Sequence, residues 1–497
     1  MTRGKRTADD TQSVQMGHTH ELKRQFSLLS MLGLAFSILN SWTALSASLS
    51  LSLPSGGSAS VIWGLVTAGT CSLCMASSLA EFLSAYPSAG GQYHWVAAIS
   101  WKSWMPIISW ITGWVNCSGW VALAATGGLL GSQLILGIMS LMNPAFQPQH
   151  WHQFLIYSGY TLVAFILNAF ANSILPSINK VASALPSFAL LSLLVPHQII
   201  TPGNFVNQTM WPDGVAWLLG LLQGGLGVTG FDGVAHMIEE IPNASDVGPK
   251  VMIACVGMGI ITGSIFLVVL LLVAGNISDV IESAAGPLLA ILSNAAGNKV
   301  AAICLLMFPI VCVMFAATAI MTTSSRMVYA FARDGGLPAS LFLSTIHPKL
   351  KVPLNALYLN LALVTIFGLI LLGSTSALNA IVSASVVLLN ISYGIPIAVN
   401  CVRGRNMLPD RRFVIPNILG WVLNIISLLY VSLTTVLFLF PPKLPATGSN
   451  MSGFSTHTVL AWTVGLQLLR RRVWRRFNNL SDSVGCERTQ KLFWSPS

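Results

Sequence analysis

The sequence predicts an all-α polytopic membrane protein with about 12 transmembrane helices. Of its 497 residues, 54% are hydrophobic and only 8% are charged, which leaves too little polar surface to cover a soluble globule. Charge-free runs lie at 26–79, 103–179, 352–402 and 413–442. Each run contains one or more apolar segments of about 20 residues, the length that crosses the hydrocarbon core of a bilayer.

The apolar segments place the spans in chain order. We predict them near 28–53, 59–80, 106–141, 153–175, 183–196, 215–236, 251–275, 300–325, 354–373, 378–400 and 416–440. Segment 183–196 is short for a crossing and carries Pro186 and Pro196. If it did not cross, the basic residues of the later internal loops would all become external, so the charge bias favours a crossing.

The chain is predicted to have three parts. Residues 1–25 are polar and form an N-terminal arm, and residues 26–445 form the membrane-embedded core. Residues 446–497 contain an apolar stretch near 457–469, which is shorter than a normal span, followed by a basic C-terminal tail.

The distribution of the net charge of +10 predicts the orientation. With the N-terminus in the cytosol, most of the Lys and Arg residues before the C-terminal tail lie in internal loops, whereas Lys299 and Lys443 lie in external ones. This bias explains the positive charge without a nucleic-acid partner. We therefore expect a multi-pass protein whose N-terminus is cytosolic.

Asp232 is the most informative single residue. It is the only charge between Asp213 and Glu239, and it lies in the glycine-rich segment 227–233. A carboxylate at bilayer depth costs a few kcal/mol and normally faces a cavity or a partner, while the glycines predict an interrupted helix. Three roles are open for Asp232: binding an amine, taking up a proton, or capping the second half of the helix.

Other motifs carry less information. Cys71-x-x-Cys74 has no His or acid beside it within the membrane, so we interpret both thiols as core packing. Sequons at Asn207, Asn276 and Asn450 fall in loops predicted to be external and are candidate glycosylation sites. Neither a Walker motif nor a catalytic set of residues is visible, so we expect no enzyme activity, no cofactor and no metal site.

Four motifs resemble the amino acid-polyamine-organocation transporter superfamily, and within it the fungal amino acid/choline permease family, which includes 4-aminobutyrate/choline permease-like proteins. The motifs are Ser37-Ile-Leu-Asn40-Ser41-Trp42-Thr43-Ala44, Glu81-Phe-Leu-Ser-Ala-Tyr86-Pro87-Ser-Ala-Gly90-Gly91-Gln92-Tyr93, Gly230-Phe231-Asp232 followed by His236-Met-Ile-Glu239-Glu240-Ile-Pro242-Asn243, and Ser325-Arg326-Met-Val-Tyr-Ala-Phe-Ala-Arg333-Asp334-Gly335. The resemblance covers roughly residues 25–445.

The resemblance implies two inverted five-helix repeats in which spans 1 and 6 are broken halfway through the membrane, span 1 around 40–42 and span 6 over 229–233. Broken helices expose backbone N–H and C=O groups that can bind a zwitterion. The implied substrate-binding residues are Asn40, Ser41, Trp42, Thr43, Thr229, Gly230, Phe231, Asp232 and Gly233. The alternatives are that the small polar residues only bond across packed helices, that Trp42 anchors at the interface, and that Phe231 packs in the core.

Charged residues near the predicted cytosolic ends of spans 2, 6 and 8 form a candidate inner gate. They are Glu81, Glu239, Glu240, Arg326 and Arg333. Opposite charges here can close the inner mouth in one state and separate in the other. The alternative is that they are solvated helix-end charges of little energetic value.

The resemblance implies a secondary active transporter in the plasma membrane. It would move an amino acid, choline or a related amine by alternating access, with H⁺ as the coupling ion. The alternative from a different class is a non-transporting amine sensor or an inactive permease relative, because such roles reuse the same binding fold.

Overall fold

The protein is almost entirely helical. The computed structural model describes residues 28–143, 145–170, 205–240, 243–373 and 376–445, and these contain no β-strand. The helices are, in chain order, α1 Leu28–Leu39, α2 Ser41–Ala47, α3 Gly57–Ala85, α4 Gln92–Ile99, α5 Met105–Met142, α6 His150–Phe170, α7 Asp213–Val228, α8 Gly233–His236, α9 Ala244–Leu272, α10 Ile277–Glu282, α11 Pro287–Ala296, α12 Lys299–Arg333, α13 Ser340–Leu343, α14 Leu354–Gly368, α15 Ile370–Gly373, α16 Ala377–Val402 and α17 Asn417–Leu437. Short 3-10 helices, Leu49–Leu51 and Ile238–Glu240, follow α2 and α8.

The observed helices confirm the predicted fold class. In the described part of the chain, nine helices or consecutive helix pairs are long and apolar enough to cross a membrane. The first predicted span is present as the interrupted pair α1 and α2. The arm 1–25 and segments 183–196 and 457–469 lie outside the described residues, and the relation between two inverted repeats stays a prediction.

The last described helix, α17, shows how these sequences suit a bilayer. Most of its exposed large apolar side chains recur every three or four residues: Ile418, Val422, Ile425, Leu429, Leu433 and Val436, with Leu419 beside the first of them. On the other side, Asn424, Ser427 and Thr434 are buried. An apolar outer face and a more polar inner face are the reverse of a soluble helix, so the outer face is suited to contact with lipid.

The helices form two packed groups with the interrupted helices between them. In the first group, α3 packs against α7 and α9, and α9 also packs against α1 and α2. In the second group, α5 packs against α12 and α16, while α6 packs against α12 and α14. Helix α12 also contacts α1 and α8, so both interruptions lie where the two groups meet.

Small residues allow the close crossing of α3 and α7. A Cβ added at Gly224 would lie 2.6 Å from the carbonyl oxygen of Gly64, which leaves no room for a side chain. Close backbone approach of this kind is typical of helix packing in membranes. It holds α7, which leads into the second interruption, firmly against the first group.

Candidate functional site

The first interruption lies at Asn40, as the sequence predicts. Helix α1 ends at Leu39, α2 begins at Ser41, and Asn40 between them has φ 39° and ψ 41°. This left-handed conformation is one that asparagine adopts more readily than most residues. The Asn40 Nδ2 donates to the carbonyl of Cys312 on α12 at 3.1 Å. This hydrogen bond ties the first interruption to α12 of the second group.

The second interruption begins where α7 ends at Val228. Thr229 is extended, with φ −86° and ψ 146°, and its hydroxyl donates to the carbonyl of Gly225 at 2.7 Å. Gly230 has φ +97°, a conformation that residues with a Cβ rarely adopt. Helix α8 starts at Gly233. The predicted break over 229–233 is thus present.

The two interruptions are joined directly and share a small cavity. The Ser41 hydroxyl donates to the carbonyl of Gly227 at 2.5 Å. Asn40 and Thr229 both line a cavity of about 30 Å³, whose other walls are mostly apolar side chains of α1, α2, α5, α7 and α12. This volume holds only about one or two water molecules, far less than the several hundred Å³ of a typical ligand pocket. The space between the breaks is closed in this conformation.

Asp232 is fully buried and bonded to four side chains. Its Oδ2 accepts from Gln92 Nε2 at 2.8 Å and Trp120 Nε1 at 3.1 Å, and lies 3.2 Å from His236 Nε2; its Oδ1 accepts from the Tyr393 hydroxyl at 2.5 Å. Although Asp232 occupies the N-cap position of α8, its side chain makes no capping hydrogen bond. The capping alternative is therefore wrong, because the carboxylate faces neighbouring elements instead of the start of its own helix.

The partners of Asp232 are themselves fixed. Asn116 Nδ2 donates to Gln92 Oε1 at 2.6 Å, which leaves the Gln92 amide nitrogen to face the carboxylate. The Trp120 ring packs edge-on against the His236 ring, with ring centroids 5.7 Å apart. The carboxylate therefore connects the second interruption to α4, α5 and α16.

The remaining residues predicted at the breaks are buried in packing contacts. Trp42 packs edge-on against Phe266 of α9, with ring centroids 5.2 Å apart, and does not line the cavity. The Thr43 hydroxyl donates to the carbonyl of Asn40 at 3.3 Å. Phe231 packs on Tyr393 at 4.7 Å. Their substrate contacts, like those of Gly230 and Gly233, stay predictions.

Glu239 and Arg333 of the predicted inner gate form an ion pair. Arg333 donates through both terminal nitrogens to the Glu239 carboxylate, at 3.2 and 3.4 Å, and both side chains are largely buried. The pair connects the end of α8 and its 3-10 helix to the end of α12. Arg326 is buried on α12, and the side chain of Glu240 lies outside what the structure describes.

Asp334 extends this ion pair toward α4. Its Oδ2 accepts from the Tyr93 hydroxyl at 2.7 Å and lies 2.7 Å from His94 Nε2. Burial raises the pKa of the Asp334 carboxyl, but His94, Arg333 and Tyr93 together lower it further, to well below its usual range. Asp334 therefore stays ionised at physiological pH and keeps a negative charge beside Arg333.

Glu81 belongs to a different ion cluster from Glu239 and Arg333. Its carboxylate accepts from Arg405 at 2.7 Å, from Arg411 at 2.6 Å and from the backbone N–H of Ile415 at 3.0 Å. Glu81 is buried, and these partners lie in the loop between α16 and α17. The predicted single gate is thus two clusters, because residues at the same end of the bundle lie on different helix faces.

Two of the predicted glycosylation sites can be compared in the structure. Asn276 is exposed, and only its Oδ1 is used, to accept from the backbone N–H of Ser278. The Asn207 amide nitrogen instead donates to the Trp211 carbonyl and to Asp213. The geometry favours Asn276 over Asn207, while Asn450 lies outside the described residues.

The paired interruptions in a helical membrane bundle are typical of membrane transport proteins. Residues 26–463 match the protein-family model described as amino acid permease. The chain therefore belongs to the amino acid permease family, a family of membrane transport proteins and not of enzymes. The resemblance predicted from the sequence motifs is confirmed.

Named relatives cover most of the chain. A Macrophomina phaseolina (strain MS6) protein, named as an amino acid/polyamine transporter, is 33% identical over 435 residues, which are 85% of this chain and 96% of the relative. The choline transporter of Saccharomyces cerevisiae is 30% identical over 90% of this chain and 82% of its own length. Amino-acid permease BAT1 of Arabidopsis thaliana is 28% identical over 93% and 94%.

Proposed function

We propose that this protein is a secondary active transporter that moves an amino acid, choline or a related amine by alternating access, coupled to H⁺. The observation that carries the proposal is the meeting of the two interruptions at Asn40 and Thr229 around one closed cavity. Opening this cavity to either side would require the two helix groups to move relative to each other, which is how a rocking-bundle carrier works.

The chemistry of the breaks supports a small substrate with a charged amine or a carboxylate. Interrupted backbone supplies N–H and C=O groups that a helix would otherwise satisfy internally. Relatives named for choline, polyamine or amino acid transport point to the same compound class. Apart from Thr126 of α5, the other walls are apolar, so most polar contacts to a substrate would come from the breaks themselves.

Uptake by a yeast strain that lacks its own amine and amino acid permeases tests the carrier. Labelled choline, 4-aminobutyrate, putrescine and common amino acids form the panel. We expect saturable uptake of one class, reduced by a protonophore. Absence of uptake despite surface expression would contradict the carrier and favour a sensor or an inactive relative. Saturable uptake that the protonophore does not reduce would contradict the coupling to H⁺ but not the carrier function.

We propose that the Glu239–Arg333 pair closes the inner mouth. It joins the end of α8 in the interrupted helix to the end of α12 in the second group, so it must break when the groups separate on the cytosolic side. Glu81, with Arg405 and Arg411, ties α3 to the loop before α17 and forms a second contact at that end.

Replacing Arg333 by glutamine is expected to favour the inward-open state. Loss of a partly buried, charge-assisted pair removes about 1.5–3 kcal/mol, which corresponds to a roughly tenfold or larger shift between two states. A cysteine introduced at Thr229 should then react faster with a membrane-impermeant thiol reagent applied to inside-out vesicles.

The matched control for this substitution is Lys349→Gln, at an exposed basic residue. It should leave the labelling rate unchanged. The charge-swapped variant Glu239→Arg with Arg333→Glu should slow the labelling again. Equal labelling rates with Arg333→Gln and with Arg333 unchanged would contradict a gating role for the Glu239–Arg333 pair.

A further inference from the structure

His236 holds two different elements through its two ring nitrogens. Nδ1 lies 2.9 Å from the carbonyl oxygen of Ala89, in the loop between α3 and α4, and Nε2 lies 3.2 Å from Asp232 Oδ2. Both the His236 and the Asp232 side chains are fully buried. The ring therefore bridges the interrupted helix and the loop 86–91 in a site closed to solvent.

The two contacts fix how many protons the site contains. A carbonyl only accepts, so Nδ1 must carry a hydrogen to bond Ala89. The contact between Nε2 and the carboxylate then needs a second hydrogen, located either on the imidazole or on the Asp232 carboxyl. Both arrangements hold one proton more than a carboxylate beside a neutral ring. Without that proton, the Nε2 lone pair would face a buried carboxylate, which is repulsive.

Loss of the proton therefore forces a choice between the two contacts. A neutral imidazole has one N–H, so His236 can bond Asp232 or Ala89 but not both. The loop 86–91 has a second tie to the same segment, since the Ala89 N–H donates to Glu239 Oε1 at 3.4 Å. Glu239 in turn is the partner of Arg333. A proton at Asp232 and His236 is thus connected to the contacts at the inner mouth.

We infer that Asp232 and His236 together form the site of the coupled proton, and that its release loosens loop 86–91 and weakens closure of the inner mouth. The inference rests on the proposed function, because a coupled proton needs a carrier. No covalent bond forms or breaks except the bond to the proton, which is transferred to water on the cytosolic side. Reprotonation from the other side restores both His236 contacts.

The surroundings of the pair suit a proton site. The Tyr393 hydroxyl bonds the carboxylate from α16, and the Cys255 thiol on α9 lies within electrostatic range of it. On α12, Thr323 lies beside Gly233, and Arg326 follows Thr323 by about one turn. Glu239 lies in the 3-10 helix that follows α8. Gln92 and Trp120 add neutral N–H donors, which stabilise a carboxylate without supplying a proton to it. His236 is the basic group bonded to Asp232.

Purified protein in liposomes separates this inference from the proposed function. The substrate is the panel compound that the unsubstituted protein takes up, and a pH-sensitive dye inside the vesicles reports proton movement. In His236→Gln we expect substrate exchange to persist, because exchange needs no net proton transfer, while substrate-driven proton flux falls to the level of protein-free liposomes. His150→Gln is the matched control: it removes an exposed histidine at the start of α6 and should keep proton flux.

Each outcome of the liposome assay has a separate meaning. Proton flux retained in His236→Gln overturns the proton site and leaves the proposed function intact. Substrate transport without proton flux in the unsubstituted protein overturns both the site and the coupling, but not the carrier. Absence of any substrate transport contradicts the carrier itself, and the measurement on loop 86–91 then decides the inference.

Hydrogen–deuterium exchange provides that measurement. After correction for intrinsic rates, the 86–91 segment of the unsubstituted protein should exchange faster at about pH 8 than at about pH 5, because a site that has lost its proton cannot keep both His236 contacts. In His236→Gln the segment should exchange at one rate throughout. The inference is overturned if the exchange rate of segment 86–91 does not change with pH in the unsubstituted protein. It is also overturned if the rate changes equally with pH in His236→Gln. Both results count even if the variant transports no substrate.

Discussion

Replacement of Asp232 by asparagine is expected to abolish proton-driven uptake while the protein still reaches the membrane. The carboxylate accepts only, from the donors Gln92, Trp120 and Tyr393. An amide fits this site if its nitrogen faces the Tyr393 oxygen, which leaves the hydroxyl hydrogen of Tyr393 without its partner. An unsatisfied buried group costs about 1–3 kcal/mol, which lowers stability but does not prevent folding.

The loss of function in this variant has a separate cause. An amide cannot take up a proton at physiological pH, so the variant lacks the charge change that the proposed coupling needs. Uptake in the yeast assay should fall to background, with surface expression checked by labelling. Asp213→Asn is the matched control: Asp213 is an exposed acid at the start of α7, in the same interrupted helix, and its loss should leave uptake unchanged. Uptake in Asp232→Asn equal to that of the control would remove Asp232 from the mechanism.

The helices and the two interruptions follow from local sequence, and this is why they could be predicted. A crossing helix needs about 20 apolar residues, so charge-free runs show its position without knowledge of its neighbours. The breaks are also local, since Asn40 and Gly230 are residue types that tolerate a positive φ.

The partners of Asp232 could not be predicted because they are distant in the chain. Gln92, Trp120 and Tyr393 are separated from it by 140, 112 and 161 positions. A polar side chain in an apolar span shows that a partner is needed, but not which helix supplies it. His236 carried the one local signal, its position four residues after Asp232 on the same segment. Its second contact, to Ala89, depends on the fold.

The inner ion pairs were predicted in part for the same reason. Sequence shows which charges lie at the cytosolic end of a span, but not which way each side chain points around its helix. Glu239 and Arg333 do meet. Glu81 instead points toward Arg405 and Arg411, two basic residues that the sequence placed only in a loop. The sequence therefore predicts at which end of the bundle these charges lie, but not which charged side chains face each other.

Replacement of Gly230 by alanine is expected to cause a loss of uptake comparable to that in Asp232→Asn, by a purely geometric route. Gly230 has φ +97°, where a residue with a Cβ is strained by about 1–3 kcal/mol. The added Cβ would lie 3.1 Å from Leu123 Cδ2 and 3.2 Å from Ile38 Cγ2, so both neighbours would have to move. These side chains come from α5 and α1, the two sides of the closed cavity.

The added methyl group would therefore separate the first interruption from the second. Because Gly230 lies two residues before Asp232, a shift of its backbone would disturb the Asp232 site as well. Gly214→Ala is the matched control, since a Cβ at Gly214, near the start of α7, would meet no atom within 4 Å. Surface-expressed Gly230→Ala should show little uptake, and Gly214→Ala should match the unsubstituted protein. If both variants transport equally, the backbone geometry at Gly230 is not required, and the closed meeting of the two breaks is not the transport site.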